Sequence, residues 1–126
     1  LSLCGEDGYP YGIPLHYVII DKSIYFHCSV DGGHKIDAIK NNTKVSFTVI
    51  ETEDGVKAKS VIIFGKIIET PDERQLVLEK LVEKFVPEIA WEQAKLNIPF
   101  AYKNTLAFKI ECAHISGKWI DKPEGR

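Results

Sequence analysis

The stretch Tyr25-Phe26-His27-Cys28-Ser29-Val30-Asp31-Gly32-Gly33-His34-Lys35 gathers imidazole, thiol, hydroxyl and ammonium groups around a Gly-Gly turn. Read as a strand end, a loop and the first turn of a helix, it suits an anion. A phosphate would meet the flexible backbone N–H groups of Ser29 to Gly33, the positive end of a helix dipole, the fixed charge of Lys35, and imidazole donors from His27 or His34. The stretch lacks the Gly-Lys-Ser/Thr pattern of a P-loop. The same residues would also make a plain turn with His34 and Lys35 solvated. A second stretch, Gly8-Tyr9-Pro10-Tyr11-Gly12-Ile13-Pro14-Leu15-His16-Tyr17, combines rigid prolines, aromatic rings and a histidine. It could present backbone polar groups to the edge of a planar ligand, with Leu15 or Tyr17 against its face. Alternatively its aromatics are core and His16 is a rim residue. Cys28 is either a ligand contact at a strand end or a small buried thiol.

Nothing else in the chain reads as reactive machinery. Cys4, Cys28 and Cys112 are isolated from one another, with no CxxC pair and no histidine at zinc-ligand spacing. Cys4 and Cys112 are expected in the core, and His114 is expected to be structural. Glu79, Lys80, Glu83 and Lys84 form a charge pattern expected of a solvated helix face.

These residues need elements to hold them. Leu1 to Cys4 reads as a strand remnant, followed by a turn over residues 5–10. Gly12 to Ile20 reads as one strand, Asp21-Lys22-Ser23 as a tight turn and Ile24 to Cys28 as the antiparallel partner. The run His34 to Asn41 is a short helix with Ile36 and Ile39 on one stripe. Lys44 to Glu51 and Ser60 to Ile68 form a second hairpin across Thr52 to Lys59, with a bend at Gly65. Thr70-Pro71-Asp72-Glu73 carries a helix-start pattern: a threonine cap, an early proline and an acid three residues on. Leu76, Leu78, Leu81, Val82 and Phe85 then recur at helical spacing until Pro87. Glu88 to Leu96 adds a turn or two of helix, interrupted at Asn97-Ile98-Pro99, and Thr105 to Ser116 is the last strand. The order lacks the βαβ alternation of a doubly wound sheet, so a small antiparallel barrel with two peripheral helical segments is expected.

Composition bounds the partners. The 126 residues suffice for one domain with its own core, and 44% hydrophobic residues exclude disorder. A net charge of -2 argues against a general nucleic-acid or membrane-surface binder, so any anion site is local. No run approaches the ~20 apolar residues that span a bilayer. Three scattered cysteines suit a reducing, cytoplasmic setting. The chain contains no methionine and opens on an alternating apolar stretch, so an N-terminal segment is expected to be missing.

Taken together, Leu3-Cys4-Gly5-Glu6-Asp7-Gly8-Tyr9-Pro10-Tyr11, Ile13-Pro14-Leu15-His16-Tyr17-Val18, Ile24-Tyr25-Phe26-His27-Cys28 with Gly33-His34-Lys35-Ile36-Asp37-Ala38-Ile39, and Ser60-Val61-Ile62-Ile63-Phe64-Gly65 resemble a known family. It is that of the flavin-binding split β-barrel proteins related to pyridoxamine 5'-phosphate oxidase, in the branch that includes nitroimidazole-resistance proteins. The resemblance implies a mainly β, antiparallel FMN-binding split barrel over residues 1–126, with a short helix after the third strand and a longer helix before the last. It implies a homodimer with FMN at the subunit interface. The phosphate would lie near His27, Cys28, Ser29 and the Gly33-His34-Lys35 turn, the isoalloxazine along Pro14, Leu15, His16 and Tyr17, and Ser60 would be a further contact. His16, at a position where many relatives carry asparagine, is the candidate for a catalytic role. The implied activity is FMN-dependent oxidation or reduction of a small molecule, with pyridoxal-phosphate metabolism and nitroaromatic reduction as the activities of relatives. The alternative is a flavin- or heme-binding carrier or sensor without turnover. Trp91 and Trp119 would either stack on a partner's flavin or pack on the helix or dimer surface, and the short link from Glu51 to Lys59 would reshape the substrate side.

Overall fold

The computed structural model describes residues 1–121. Seven strands form one antiparallel, open sheet: β1 (Ser2–Cys4), β2 (Pro10–Gly12), β3 (Val18–Ile20), β4 (Ser23–Ser29), β5 (Lys44–Glu53), β6 (Lys57–Glu69) and β7 (Thr105–Asp121), in the spatial order β2-β1-β5-β6-β7-β4-β3. This is the architecture of a split barrel. Three α-helices accompany it: α1 (His34–Asn41), α2 (Arg74–Phe85) and α3 (Trp91–Ala101). Among the described residues no helix is long and apolar enough to cross a membrane.

Two hydrophobic clusters hold the sheet. On one face Leu3, Phe26, Val45, Phe47, Ile63 and Ile110 meet Ile36 and Ile39 of α1. On the other, Val18, Tyr25 and Ala107 are covered by Val77 and Leu81 of α2. Strand β4 belongs to both, because its successive side chains alternate: Ile24, Phe26 and Cys28 enter the first cluster and Tyr25 the second. Phe26 is fully buried and stacks on Phe108 with ring centroids 5.5 Å apart.

The hairpins follow their turn chemistry. Asp21 and Lys22 both take positive φ, 48° and 67°, and set the Ile20–Ser23 pairing of the β3–β4 hairpin. The β5–β6 hairpin turns at Asp54-Gly55-Val56, so the expected link from Thr52 to Lys59 is mostly paired strand, with Thr52 opposite Ala58 and Glu53 opposite Lys57. β7 likewise runs beyond Ser116 to Asp121.

Other expectations are corrected. Gly12 to Ile20 is not one strand: the ladder stops at Gly12 and resumes at Val18, with Pro14, which has no N–H to donate, in the gap. Thr70 makes no side-chain cap bond; its N–H is donated to the carbonyl of Ala107 at 2.8 Å, and a 3-10 turn over Pro71–Glu73 precedes α2. The buried stripe of α2 is Val77, Leu78 and Leu81, while Leu76 and Phe85 are exposed. α3 continues through Pro99, whose fixed φ is helical and whose missing N–H costs one hydrogen bond. Cys4 and Cys112 are exposed, not core. Cys4 alternates with the buried Leu3, and Cys112 sits where a bulge shifts the β6–β7 register.

That bulge is built around Gly65. A Cβ there would collide with the carbonyl oxygen of Glu111 on β7, so only glycine permits the approach. Gly65→Ala is expected to cost about 1–3 kcal/mol, toward the upper end because the obstacle is backbone. A denaturant midpoint equal to that of the parent would contradict this account.

Candidate functional site

Residues 13–17 have no strand partner, and their placement comes from contacts outside the sheet. The Ile13 N–H is donated to the Leu1 carbonyl at 2.9 Å. The His16 ring stacks on Phe85 at the end of α2, with centroids 4.2 Å apart and planes 17° from parallel. The neighbouring Lys84 ammonium donates to the Tyr17 carbonyl at 2.6 Å and lies 3.7 Å from the Tyr17 ring centroid. Tyr17 in turn sets its ring edge-on to Phe47, 5.3 Å away, which anchors the segment to the first cluster. Lys84 and Phe85 were not legible as site residues. In the sequence Lys84 belongs to a charged helix face, and its bond to Tyr17 crosses 67 positions.

His27 lies near the end of β4 and shares the sheet face of Tyr25, the face that α2 covers. Pro14, Leu15, His16 and His27 together line a recess of about 370 Å³. The His27 residue is exposed by surface area, yet its imidazole is held below its ordinary value, first by partial desolvation against its neighbours and then by the positive charge of Lys35 and by His16. Lys35, on the first turn of α1, is thus within electrostatic reach of His27. The same lysine acts on Cys28, but burial dominates there and pushes the thiol up, so Cys28 stays protonated and unreactive.

Lys35 is half-buried and has no ion-pair partner among the described residues. At the start of its helix Gly33 takes φ 61° and ψ -129°, a conformation open to glycine, which turns the chain from β4 into α1. The turn is closed by the Gly32 N–H on the Ser29 carbonyl at 3.0 Å and by the Asp31 N–H on the Ser29 hydroxyl at 3.2 Å.

The sequence grouped more residues here than the recess holds. Cys28 points to the opposite face, into the first cluster. His34 packs edge-on against Tyr11 with centroids 4.6 Å apart, toward the β1–β2 turn. Ser29 serves its own turn. Ser60 is opposite Lys118, whereas His27 is opposite Ala107. The eleven residue steps from Ala107 to Lys118 along β7 correspond to roughly 36 Å of strand. Within one chain Ser60 therefore stands apart from the recess. Trp91 donates its indole N–H to the Val86 carbonyl at 2.7 Å, while Trp119 is exposed near the end of β7. His114 is also exposed, 6.3 Å from the Phe64 ring. Among the described residues no cluster of histidine, cysteine and acidic side chains could hold a metal ion.

What converges is a short platform, Pro14 to His16, beside a strand end with His27 and Lys35. Chemically it could seat a planar ring and hold an anionic group near a fixed positive charge.

The sequence profile of the pyridoxamine 5'-phosphate oxidase family matches residues 3–119. An uncharacterized protein of Rhizobium meliloti is 34% identical over 68 residues, 54% of this chain and 44% of that protein, so the match spans under half of the relative's length. Among solved structures, a FAD-binding protein from Mesorhizobium loti is 29% identical with TM-score 0.65, covering 96% of this chain and 83% of that one. A protein assigned to 5-nitroimidazole antibiotic resistance from Bacteroides thetaiotaomicron shares the fold at 17% identity, TM-score 0.73, covering 94% and 74%. So does a FAD and heme binding protein from Mycobacterium smegmatis at 19% identity, TM-score 0.75, covering 99% and 66%.

The depressed His27 imidazole has a stability consequence. The unfolded chain takes up its proton at a higher pH than the folded one, so acidification through about 6.5 favours unfolding until the folded group also protonates. The ligand-free protein is expected to lose stability over that window, and His27→Gln to flatten the loss. Denaturant titrations at pH 5 and 7.5 that show the same pH difference in both proteins would refute this.

Proposed function

The chain belongs to the pyridoxamine 5'-phosphate oxidase family, and from that premise we propose that it is an FMN-dependent oxidoreductase acting on a small molecule, working as a homodimer. The observation that carries the proposal is the recess shared by His16 and His27, with His27 in the field of the positive charge of Lys35. The residues fit FMN. Its phosphate would be held by Lys35, by His27 and by the backbone N–H groups at the start of α1. The isoalloxazine would rest along Pro14, Leu15 and His16, with Tyr17 behind them. When bound, FMN supplies the electron and hydride chemistry, and no protein nucleophile is needed.

The chain's own part is positioning. Lys84 and Phe85 hold the ring platform against α2, and Lys35 supplies a positive charge beside His27. The His16 ring, at the platform's end, could donate a hydrogen bond to an oxygen of cofactor or substrate. In this reading the side chains of Cys28, Ser29 and His34 do not touch the ligand, Gly33 and His34 contribute through the backbone that opens α1, and residues 1–126 act as one FMN-binding domain.

A second copy would complete the site. The outer face of the β5–β6–β7 arm carries Ile50, Ile62, Phe64 and Ile120, all exposed, with Ser60 among them. An apolar sheet face of this kind marks an association surface. Packing two arms together would bring one subunit's Ser60 toward the other's recess. A carrier without turnover is the second reading, favoured by the Mycobacterium smegmatis neighbour, whose description names both FAD and heme.

Purified protein is expected to carry a flavin visible spectrum and to release FMN by mass; a colourless protein that gains no absorbance with FMN overturns the assignment. Catalytic reoxidation of the reduced cofactor by an added acceptor separates the enzyme from the carrier. Lys35→Ala removes a charge-assisted contact of about 1.5–3 kcal/mol, so FMN should bind roughly 10- to 150-fold more weakly while riboflavin is little affected. Equal FMN affinity would remove Lys35 from the site. Phe64→Asp buries a charge in the proposed interface, so sedimentation should show monomers with reduced FMN retention. A flavin-loaded dimer in that variant would contradict the arm-to-arm assembly.

A further inference from the structure

Beside the platform recess lies a second cavity of about 250 Å³. Leu81, Val82 and Phe85 of α2 and Ile98 and Ala101 of α3 form its walls, and His16 and His27 stand where the two recesses meet. Its volume is just under the range that holds drug-sized ligands. No carboxylate or ammonium group lines it, so a charged ligand would find no ion-pair partner on its walls. The walls are aliphatic and aromatic, and the two imidazoles are the groups able to donate hydrogen bonds into it. Phe85 already accepts one flat ring, that of His16, in a near-parallel stack at 4.2 Å.

We propose that this cavity binds a small, neutral, one- or two-ring aromatic molecule that carries a hydrogen-bond-accepting oxygen. The ring lies between α2 and α3 against Phe85 and Leu81, and the oxygen points at His16 and His27. Its assignment as the substrate side of the cofactor rests on the flavin reading above, because the same two histidines border both recesses. The binding itself does not depend on that reading.

The probe is 2-acetylnaphthalene, with naphthalene as its oxygen-free control, titrated by saturation-transfer NMR into flavin-free and FMN-loaded protein. Saturable binding is expected in both forms, with naphthalene at least tenfold weaker. Val82→Trp and, from the opposite wall, Ala101→Trp should each weaken the probe at least tenfold while the FMN dissociation constant and melting temperature stay within error. If one variant fails to fold, the other decides. Undiminished binding in a folded variant overturns the proposal, as does no binding to the parent protein. Displacement of the probe by FMN also overturns it, since the cavity would then be the cofactor's. Failure of the flavin reading shows separately, as absent FMN binding in the parent protein.

Discussion

Strand β4 is buried on both of its faces, and this double burial fixes the rest of the molecule. Phe26 locks one face against Phe108 and the α1 cluster; Tyr25 locks the other beneath α2. A slip of one residue would send Phe26 to the helix side and Tyr25 into the barrel, exchanging two large rings between cavities shaped for the other. With the register so determined, the end of the strand has no freedom left. His27 must emerge on the α2 face and Cys28 must point into the core. The chemistry available at the strand end is a by-product of packing decided two residues earlier.

The segment 13–17 is determined differently. Beyond the Ile13–Leu1 pairing it contributes no ladder bonds, so its shape depends on the last turn of α2, where Phe85 and Lys84 grip His16 and Tyr17. The Lys84 ammonium gives up some solvation for this, which lowers its pKa by burial, and recovers it through the Tyr17 carbonyl and ring. Helix and platform are therefore mechanically one unit. Any movement of α2 relative to the sheet would displace the ring platform and change the cavity beside it at the same time.

What could be read from the sequence was whatever is encoded locally. The Ile24–Cys28 strand, the Asp21-Lys22 turn, the helix from His34 and the antiparallel class all come from alternation, turn chemistry and helical spacing within a few residues. The Asp54-Gly55 turn was equally local, yet strands were ended early around it because Glu51 to Lys59 is too polar to look like a core strand; the ribbon leaves the core there and needs no apolar alternation. Cys112 was misplaced for a related reason, since a bulge resets the alternation and depends on Gly65 in another strand. His27 and Lys35 could be grouped from the sequence because a short turn joins them, and the charge of Lys35 reaches the His27 ring. His34, adjacent in sequence, turned to Tyr11 instead, and a helix's first turn points neighbouring side chains about 100° apart.

The arm poses the remaining physical problem. Beyond Ile110 the β7 strand continues with every described residue exposed, paired only to β6 and through it to β5. A three-stranded ribbon with Ile50, Ile62, Phe64 and Ile120 on its outer side and Ile115 and Trp119 on the other has apolar groups on both faces and a free β7 edge along this stretch. Backbone pairing alone gives such a ribbon little independent stability. Its length is nonetheless well specified: the Asp54-Gly55 turn fixes one end of the register and the Gly65 bulge the other. A long, exactly registered ribbon with bare apolar faces is costly for an isolated chain and favourable for an assembly. In the homodimer proposed above, this ribbon is the part of one chain that would reach the recess of the other.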